Sequence, residues 1–115
     1  MNESQVFGQK GEILAAKYLK KHGYKIIERN YKCKIGEVDI IAKHNGVLVF
    51  VEVKSRNSMQ FGRPAEAVDE YKQRKLAQLA TYYINLHKLY DVYARFDIIE
   101  VLGDKINLIQ NAWTL

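Results

Sequence analysis

The chain has 115 residues, of which 48% are hydrophobic and 27% are charged. This length predicts a single domain covering residues 1–115, and the composition is that of a folded protein rather than a disordered one. The 18 basic residues outnumber the 13 acidic ones, which gives a formal net charge of +5. A basic balance favours polyanionic partners, nucleic acid first, although many small proteins are equally basic for solubility alone.

The cysteine count and the lack of long apolar runs exclude several classes of protein. Cys33 is the only cysteine, so neither an internal disulfide nor a zinc site built from cysteines can form. The first residues are polar, unlike those of a signal peptide, and no uncharged apolar run approaches the roughly 18 residues needed to span a bilayer. We therefore expect a cytoplasmic protein with no membrane partner.

The first half of the chain is predicted to contain a helix, a strand and a hairpin. Apolar residues at intervals of three and four predict a helix over residues 4–22, and residues 25–32 have the pattern of a strand. The apolar segments 38–42 and 47–53 flank Asn45-Gly46, the strongest short sequence pattern for a hairpin turn. The second of these segments is almost wholly apolar, which predicts a central strand covered on both faces.

The second half continues with a polar loop over residues 55–63 and a long helix over residues 65–89. Two further strands are predicted at residues 92–102 and 105–109, joined at Gly103-Asp104. The predicted order is α-β-β-β-α-β-β. This order places the chain in the α/β class, in the form of a mixed five-stranded sheet with helices packed against it.

Three charged residues, Asp39, Glu52 and Lys54, interrupt strands that otherwise have the composition of a core. Burying an unpaired charge is costly, so each of them needs a partner or a site open to solvent. A type I′ turn at Asn45-Gly46 fixes the register of the hairpin, and counting back from it places Asp39 opposite Glu52. The same register pairs Ile41 with Phe50 and Glu37 with Lys54.

Opposed carboxylates predict a metal site. Directly opposed residues point to one face with Cβ atoms roughly 5 Å apart, so Asp39 and Glu52 repel each other unless a cation lies between them. Lys54 is on the same strand face, where an ammonium can position water and stabilise charge on a phosphate oxygen. A solvated strand end or an Asp39–Lys54 ion pair would explain any one of these residues. The three together favour a site.

Glu12 is a further candidate, because it shares a helix face with Ala15, Ala16 and Leu19. A carboxylate on an apolar stripe requires an explanation. It either points towards the same acidic cluster, as a metal ligand or a residue that holds water, or it is a helix-edge carboxylate paired with a lysine. The residues alone leave both readings open.

Basic residues follow the predicted site along the chain. Lys72, Arg74 and Lys75 form a cluster on the long helix, and Arg56 and Arg63 lie in the loop before it. Such a group can follow the phosphate backbone of DNA. A solvated helix face is the commoner explanation for the helix charges when they are considered alone.

These residues resemble a known family. Asp39 followed by Glu52-Val53-Lys54 resembles the D…(D/E)-x-K signature of the PD-(D/E)XK nuclease superfamily, and the helix bearing Glu12 is similar to the first motif of its archaeal Holliday junction resolvases. More closely, and over nearly its whole length, the chain resembles the YraN family of predicted endonucleases. The matching segments are Gly8-x-x-Gly11-Glu12, Glu28-Arg29-Asn30-Tyr31, Gly36-Glu37-Val38-Asp39-Ile40-Ile41, Val49-Phe50-Val51-Glu52-Val53-Lys54-x-Arg56, Phe61-Gly62-x-Pro64, Lys72, Arg95-Phe96-Asp97 and Asn111-Ala112-Trp113.

The resemblance implies a restriction-endonuclease-like αβββαβ core. It also implies Mg²⁺, replaceable by Mn²⁺, held by Asp39, Glu52 and the Val53 carbonyl, with Lys54 serving the attacking water. Val38 takes the position before Asp39 where the superfamily pattern has proline, a variation found among resolvase-like members.

The expected function is metal-dependent hydrolysis of phosphodiester bonds in DNA rather than RNA, with branched or damaged DNA as a candidate substrate by analogy. A homodimer would suit a branched substrate, because it carries two symmetric sites. Two alternatives remain: a non-catalytic nucleic-acid-binding module with a nuclease-like fold, and a protein-interaction subunit whose basic charge is incidental.

Overall fold

The computed structural model describes residues 3–56 and 68–113, with the side chains described from residue 9 onward except that of Arg56. The elements follow the predicted order and form an αβββαβ core extended by one further strand. They are α1 (Glu3–Lys21), β1 (Lys25–Lys32), β2 (Glu37–His44), β3 (Val47–Arg56), α2 (Glu70–Leu86), β4 (Tyr93–Leu102) and β5 (Lys105–Ile109). Neither described helix is long and apolar enough to cross a membrane.

The strands form one mixed sheet of five strands in the order β1-β2-β3-β4-β5. Only β3 and β4 are parallel, because the chain crosses over through α2 between them, and the other neighbours are antiparallel. β3 is therefore the central strand. Its residues 48–51 are consecutively buried, as expected for a strand covered on both faces.

The hairpin between β2 and β3 has the predicted turn. Asn45 and Gly46 have φ values of 52° and 79°, and a type I′ turn requires positive φ at both positions. The predicted pairing of Ile41 with Phe50 is confirmed. The ladder ends at the pair Ile40–Val51, so β2 and β3 separate beyond it.

The early end of this ladder leaves two predicted pairs outside it, Asp39–Glu52 and Glu37–Lys54, and the second of them is wrong. Glu37 does not face Lys54. It pairs instead with Lys32 of β1, and the Glu37 Oε2–Lys32 Nζ distance is 3.9 Å. Counting from the turn assumed that β2 stays on β3 over its full length, whereas its first residues pair only with β1.

The two helices cover opposite faces of the sheet. α1 packs on one face through Ala15, Ala16 and Leu19. Near Gly11 this helix lies so close to the sheet that a Cβ atom at Gly11 would collide with the Ser55 side chain. This contact holds Glu12 near the end of β3 where the two strands separate.

α2 packs on the other face through Leu76, Leu79 and Tyr83, and it is shorter than predicted. The Asp69 side chain accepts a hydrogen bond from the Lys72 backbone N at 2.9 Å, so Asp69 caps the helix rather than continuing it. The helix ends at Leu86, three residues before the predicted end, and Leu86 is 57% exposed. Residues 55 and 56, predicted as the start of a loop, belong to β3, and the rest of that predicted loop, with Gly62 and Arg63, lies outside the described residues, as does Pro64.

A buried polar cluster fastens the C-terminal segment to β4. Asp97 is fully buried and accepts hydrogen bonds from Tyr24 Oη at 2.7 Å, Arg95 Nε at 3.0 Å and the Asn111 backbone N at 2.9 Å. Next to it, the ring of Trp113 stacks on Phe96 with centroids 5.1 Å apart. These contacts join the segment Arg95-Phe96-Asp97 to the segment Asn111-Ala112-Trp113.

Candidate functional site

The candidate site begins where β2 and β3 separate. Beyond the pair Ile40–Val51, the Val53 backbone N donates its hydrogen bond to Asp39 Oδ2 at 2.8 Å rather than to the backbone of β2. The Asp39 carboxylate therefore lies in the opening between the strands. Asp39 and Glu52 would be the next facing pair after Ile40–Val51, but the ladder does not include them. Their carboxylates are nevertheless near enough to interact electrostatically.

Glu52 is buried at the same place, with only 3% of its surface exposed. Its Oε2 atom contacts two ammonium groups, Lys72 Nζ at 2.6 Å and Lys54 Nζ at 3.8 Å. Glu52 and Lys54 are on the sheet face covered by α2, and Lys72 reaches the same carboxylate from that helix. Among the ion pairs of the described residues, Lys54 is therefore a partner of Glu52 and not of Asp39.

Lys72 was predicted to contact DNA together with Arg74 and Lys75, and the structure gives it a different position. It is a direct neighbour of the buried acid, whereas Arg74 is exposed and 3.8 Å from Glu70 in an ion pair between successive helical turns. The sequence does carry a sign of this. Lys72 precedes Leu76 by four residues on the buried stripe of α2, so its side chain faces the sheet.

Asp39 has an unusual electrostatic environment. Burial, followed by the negative charge of Glu52, raises its pKa from the ordinary value of 3.8 to about 6. The hydrogen bond from the Val53 N–H and the charges of Lys72 and Lys54 only partly offset these effects. Without a bound cation, ionisation of Asp39 therefore lowers the free energy of unfolding.

This cost predicts a pH dependence and a stabilising substitution. The folded chain binds the Asp39 proton more tightly than the unfolded chain, so the free energy of unfolding falls as the pH rises from about 4 to 6. Above that range the cost is fully present, at about 3 kcal/mol or less. Asp39→Asn should therefore stabilise the protein by about 1–3 kcal/mol at pH 7.5, and by much less at pH 4, since the amide oxygen still accepts from Val53.

Chemical denaturation in metal-free buffer at both pH values measures this effect. Asp104→Asn is the matched control, because Asp104 is exposed in the turn between β4 and β5 and should contribute little. A destabilised Asp39→Asn protein at neutral pH would show that Asp39 is an ordinary structural ion-pair partner.

Glu12 reaches the cluster from the other side of the sheet. It is half-buried, and with the Asn30 amide oriented to donate, Asn30 Nδ2 lies 2.6 Å from Glu12 Oε1. Burial and then the charge of Asp39 raise the pKa of Glu12. These observations favour the reading in which Glu12 points towards the acidic cluster, since a lysine partner is not found for it among the described ion pairs.

The two lysines respond differently to the same surroundings. Burial and the neighbouring Lys72 ammonium lower the pKa of Lys54. Burial alone would also lower the pKa of Lys72, but its hydrogen bond to Glu52 and the charge of that acid outweigh burial and raise it. Lys54 is thus the ammonium that loses its proton more readily, and Lys72 is the firmly charged partner of Glu52.

The remaining predicted residues lie around this centre or outside the description. Lys75 is exposed on α2 with its Nζ 5.9 Å from the ring centroid of Tyr71. Arg56 is the last residue of β3, and its side chain lies outside the described part, as does Arg63 entirely. Val53 is half-buried between Glu52 and Lys54, with its N–H bound by Asp39.

The protein side chains do not form a complete metal cage. Within residues 3–56 and 68–113, no group of three or more His, Cys, Asp or Glu side chains is placed to hold one ion. The arrangement provides instead two carboxylates, Asp39 and Glu52, that interact electrostatically, a third, Glu12, that is affected by the charge of Asp39, and two ammonium groups in contact with Glu52. Such a cluster can bind a cation, orient a water molecule and neutralise an anionic substrate.

Comparison with known proteins identifies the family. The sequence profile of the uncharacterised protein family UPF0102 matches residues 11–101. A UPF0102 protein of Caldanaerobacter subterraneus subsp. tengcongensis is 50% identical over 113 residues, covering 92% of this chain and 93% of the relative. One from Caldicellulosiruptor saccharolyticus is 46% identical and covers 98% of this chain and 100% of the relative. One from Clostridioides difficile is 48% identical, covering 92% and 95%.

The family match, over residues 11–101, includes the candidate site from Glu12 through Lys72, strands β1 to β3, helix α2 and nearly all of β4. The resemblance to the YraN family is confirmed at this level, because YraN and UPF0102 designate one family. The chain belongs to the UPF0102 family.

Proposed function

We propose that the protein is a metal-dependent endonuclease of the PD-(D/E)XK type that hydrolyses phosphodiester bonds in DNA. One observation carries the proposal. Asp39 and Glu52, two acids largely withdrawn from solvent, interact electrostatically where β2 and β3 separate, and Lys54 Nζ lies 3.8 Å from Glu52 Oε2. A sheet selected for stability alone would avoid such a pair, whereas phosphodiester hydrolysis uses these groups together.

The donor set fits Mg²⁺ or Mn²⁺. Both ions favour oxygen ligands, and Mg²⁺ is commonly held by one or two carboxylates with water and substrate phosphate completing its shell. Asp39 and Glu52 would be those carboxylates, the Val53 carbonyl a further ligand, and Glu12 a ligand or a holder of a bound water. The elevated pKa of Asp39 supports this assignment, because a bound cation would relieve the repulsion by Glu52 that raises it.

A cation at these residues would lower the pKa of a bound water and neutralise charge on the phosphate. The chain's own groups supply the rest. The Lys54 ammonium can orient the attacking water and donate to a phosphate oxygen, and burial makes that hydrogen bond stronger than it would be in water. Asp39, fixed by the Val53 N–H, holds its position without reorganising when the substrate arrives.

DNA as the substrate is supported by the formal charge of +5 and by basic residues beside the centre. Arg74 and Lys75 lie on the same helix as Lys72 and are exposed to solvent, so they can contact phosphates of a bound DNA. Branched or damaged DNA is the substrate class we favour, by analogy with resolvases, and a homodimer would present two such centres.

The test is cleavage of linear, nicked and four-way DNA by the purified protein with Mg²⁺ or Mn²⁺, and reactions with EDTA are the negative control. The proposal expects cleavage of at least one of these DNAs that EDTA abolishes. Salt-sensitive binding to the same DNAs with no cleavage under any metal condition would overturn it.

A second candidate function is a nucleic-acid-binding module without catalysis. The observation that favours it is the 2.6 Å contact of Lys72 with Glu52, in which an ammonium holds the acid that a cation would need. A binder of this kind would bind DNA equally well with and without EDTA, and Asp39→Asn would not alter its affinity for Mn²⁺.

The Lys72 contact makes a prediction of its own for the proposed metal centre. A cation must displace Lys72 from Glu52, so replacing the lysine by an apolar side chain of similar length should favour cation binding. We expect Lys72→Met to bind Mn²⁺ about five- to tenfold more tightly than native protein in isothermal calorimetry. Lys75→Met is the control, because it makes the same change on the same helix at a lysine that is not ion-paired with Glu52. Its affinity for Mn²⁺ should match that of native protein. Weaker binding by Lys72→Met would mean that Lys72 supports the ion.

A further inference from the structure

An open groove lies next to the candidate centre, between the β1–β2 turn and the first turns of α2. Its volume is about 430 Å³. The floor is apolar and is formed by Ile35, Leu76 and Leu79, and the rim carries Tyr71, Lys72 and Lys75. We call this feature the α2 groove. Because Lys72 lines the groove and also contacts Glu52, the groove opens directly beside the acidic cluster.

The rim of the α2 groove is unusual for a surface helix. Tyr71 is 64% exposed, so a large aromatic ring stands in solvent one residue away from the site lysine. Lys75 Nζ lies 5.9 Å from the centroid of that ring, which places positive charge over it. An aromatic face, a cation and an apolar floor together are the groups that bind an unstacked base and its phosphate.

The acids of the groove do not oppose this reading. Glu37 and Asp69 also line it, but Glu37 is ion-paired with Lys32 at 3.9 Å and Asp69 accepts the Lys72 backbone N–H at 2.9 Å. Lys72 is held by Glu52, whereas Lys75 has no acidic partner among the ion pairs of the described residues and can meet a phosphate. An apolar peptide or an acyl chain would cover the floor but would bury the Lys75 ammonium without a counter-ion.

We propose that the α2 groove is a subsite for one unpaired nucleotide of the DNA substrate, with its base against the apolar floor and Tyr71 and its phosphate at Lys75. A base within a duplex is stacked on both sides and paired at its edge, so only an extrahelical or single-stranded nucleotide can enter. The groove volume is at the small end for ligand sites, which suits a ligand of the size of one nucleotide. This inference rests on the proposed function and deepens it. DNA with an unpaired nucleotide beside the scissile bond is the preferred substrate.

Two variants test the subsite by opposite means. Tyr71→Ala removes the stacking surface. Gly36→Leu adds a bulky side chain to the lining of the groove, and its Cβ atom would meet no other atom within 4 Å, so the backbone there has room for a side chain. Tyr90→Ala is the matched control, because Tyr90 is exposed to 66%, close to the 64% of Tyr71, but does not line the groove.

The experiment is fluorescence anisotropy in EDTA, at one salt concentration, with a labelled duplex and the same duplex carrying one extrahelical nucleotide. Native protein and Tyr90→Ala should bind the bulged DNA about five- to tenfold more tightly than the duplex. Tyr71→Ala and Gly36→Leu should bind both DNAs with the affinity of native protein for the duplex.

Equal binding of the two DNAs by native protein, or a bulge preference retained in both variants, would overturn the subsite. Either result would leave the proposed nuclease standing, since EDTA removes the cation from the comparison and metal-dependent cleavage is measured separately. Failure of native protein to bind any DNA would overturn the subsite and the proposed function together.

Discussion

Asp39→Asn is expected to lower metal-dependent DNA cleavage by about a thousandfold or more. The substitution removes a negative charge from the carboxylate that would hold the cation, while it retains an oxygen that can accept the hydrogen bond from the Val53 N–H. The local structure is therefore preserved. Loss of cleavage can then be attributed to chemistry, because the same variant is predicted to be more stable than native protein at neutral pH.

Lys54→Ala and Asp104→Asn complete this test. Lys54→Ala should reduce cleavage by about a hundredfold or more, because it removes the half-buried ammonium that would donate to the reacting phosphate and leaves both acids in place. Asp104→Asn, in an exposed turn, should cleave like native protein. Initial rates on the DNA that native protein cleaves best provide the measurement. Equal rates for native and Asp39→Asn preparations would show that the activity belongs to a contaminant.

Asp97→Ala is expected to destabilise the fold by about 3–5 kcal/mol, in contrast to Asp39→Asn. Asp97 is fully buried and its carboxylate accepts hydrogen bonds from Tyr24, Arg95 and Asn111. Removing it leaves the buried part of the Arg95 guanidinium and the Tyr24 hydroxyl without their acceptor. Two aspartates withdrawn from solvent should thus have opposite effects, since one is satisfied by its surroundings and the other is not.

Chemical denaturation gives the free energy of unfolding, and Trp113, the only tryptophan, reports on the local contact. Its ring stacks on Phe96, and the neighbouring Asn111 is held by Asp97, so Asp97→Ala should shift the tryptophan emission to longer wavelength before global unfolding. Asp104→Ala is the control. A change of less than about 1 kcal/mol in Asp97→Ala would mean that the cluster around Tyr24 contributes little to the fold.

Local patterns were sufficient to predict most of the fold. Asn45 and Gly46 fixed the turn type, and with it the pairing of Ile41 with Phe50, because positive φ at both positions is a property of these residue types. The unbroken apolar run in β3 identified the central strand. The parallel pairing of β3 with β4 follows from the helix that lies between them in the chain.

The errors occurred where tertiary contacts override local preference. The pairing of Glu37 with Lys54 failed because β2 leaves β3 after Ile40, and no feature of the hairpin sequence marks that point. The predicted start of α2 is too early, because Asp69 is the N-terminal cap of the helix and its side chain accepts a hydrogen bond from the Lys72 backbone N–H.

The candidate acids themselves were recognisable from sequence, because charged residues in strands of core composition need an explanation. Their partners were not. The contact of Lys72 with Glu52 joins residues 20 positions apart in the chain, and it depends on how α2 packs on the sheet. The Tyr24–Asp97 hydrogen bond spans 73 positions and likewise has no local signature.

The central claim, that Asp39 and Glu52 share one divalent cation, is tested most directly by calorimetric titration with Mn²⁺. Native protein should show one site, and both Asp39→Asn and Glu52→Gln should bind at least about tenfold more weakly while remaining folded by circular dichroism. Asp104→Asn should bind like native protein. Retention of native affinity in folded Asp39→Asn or Glu52→Gln protein would contradict the claim.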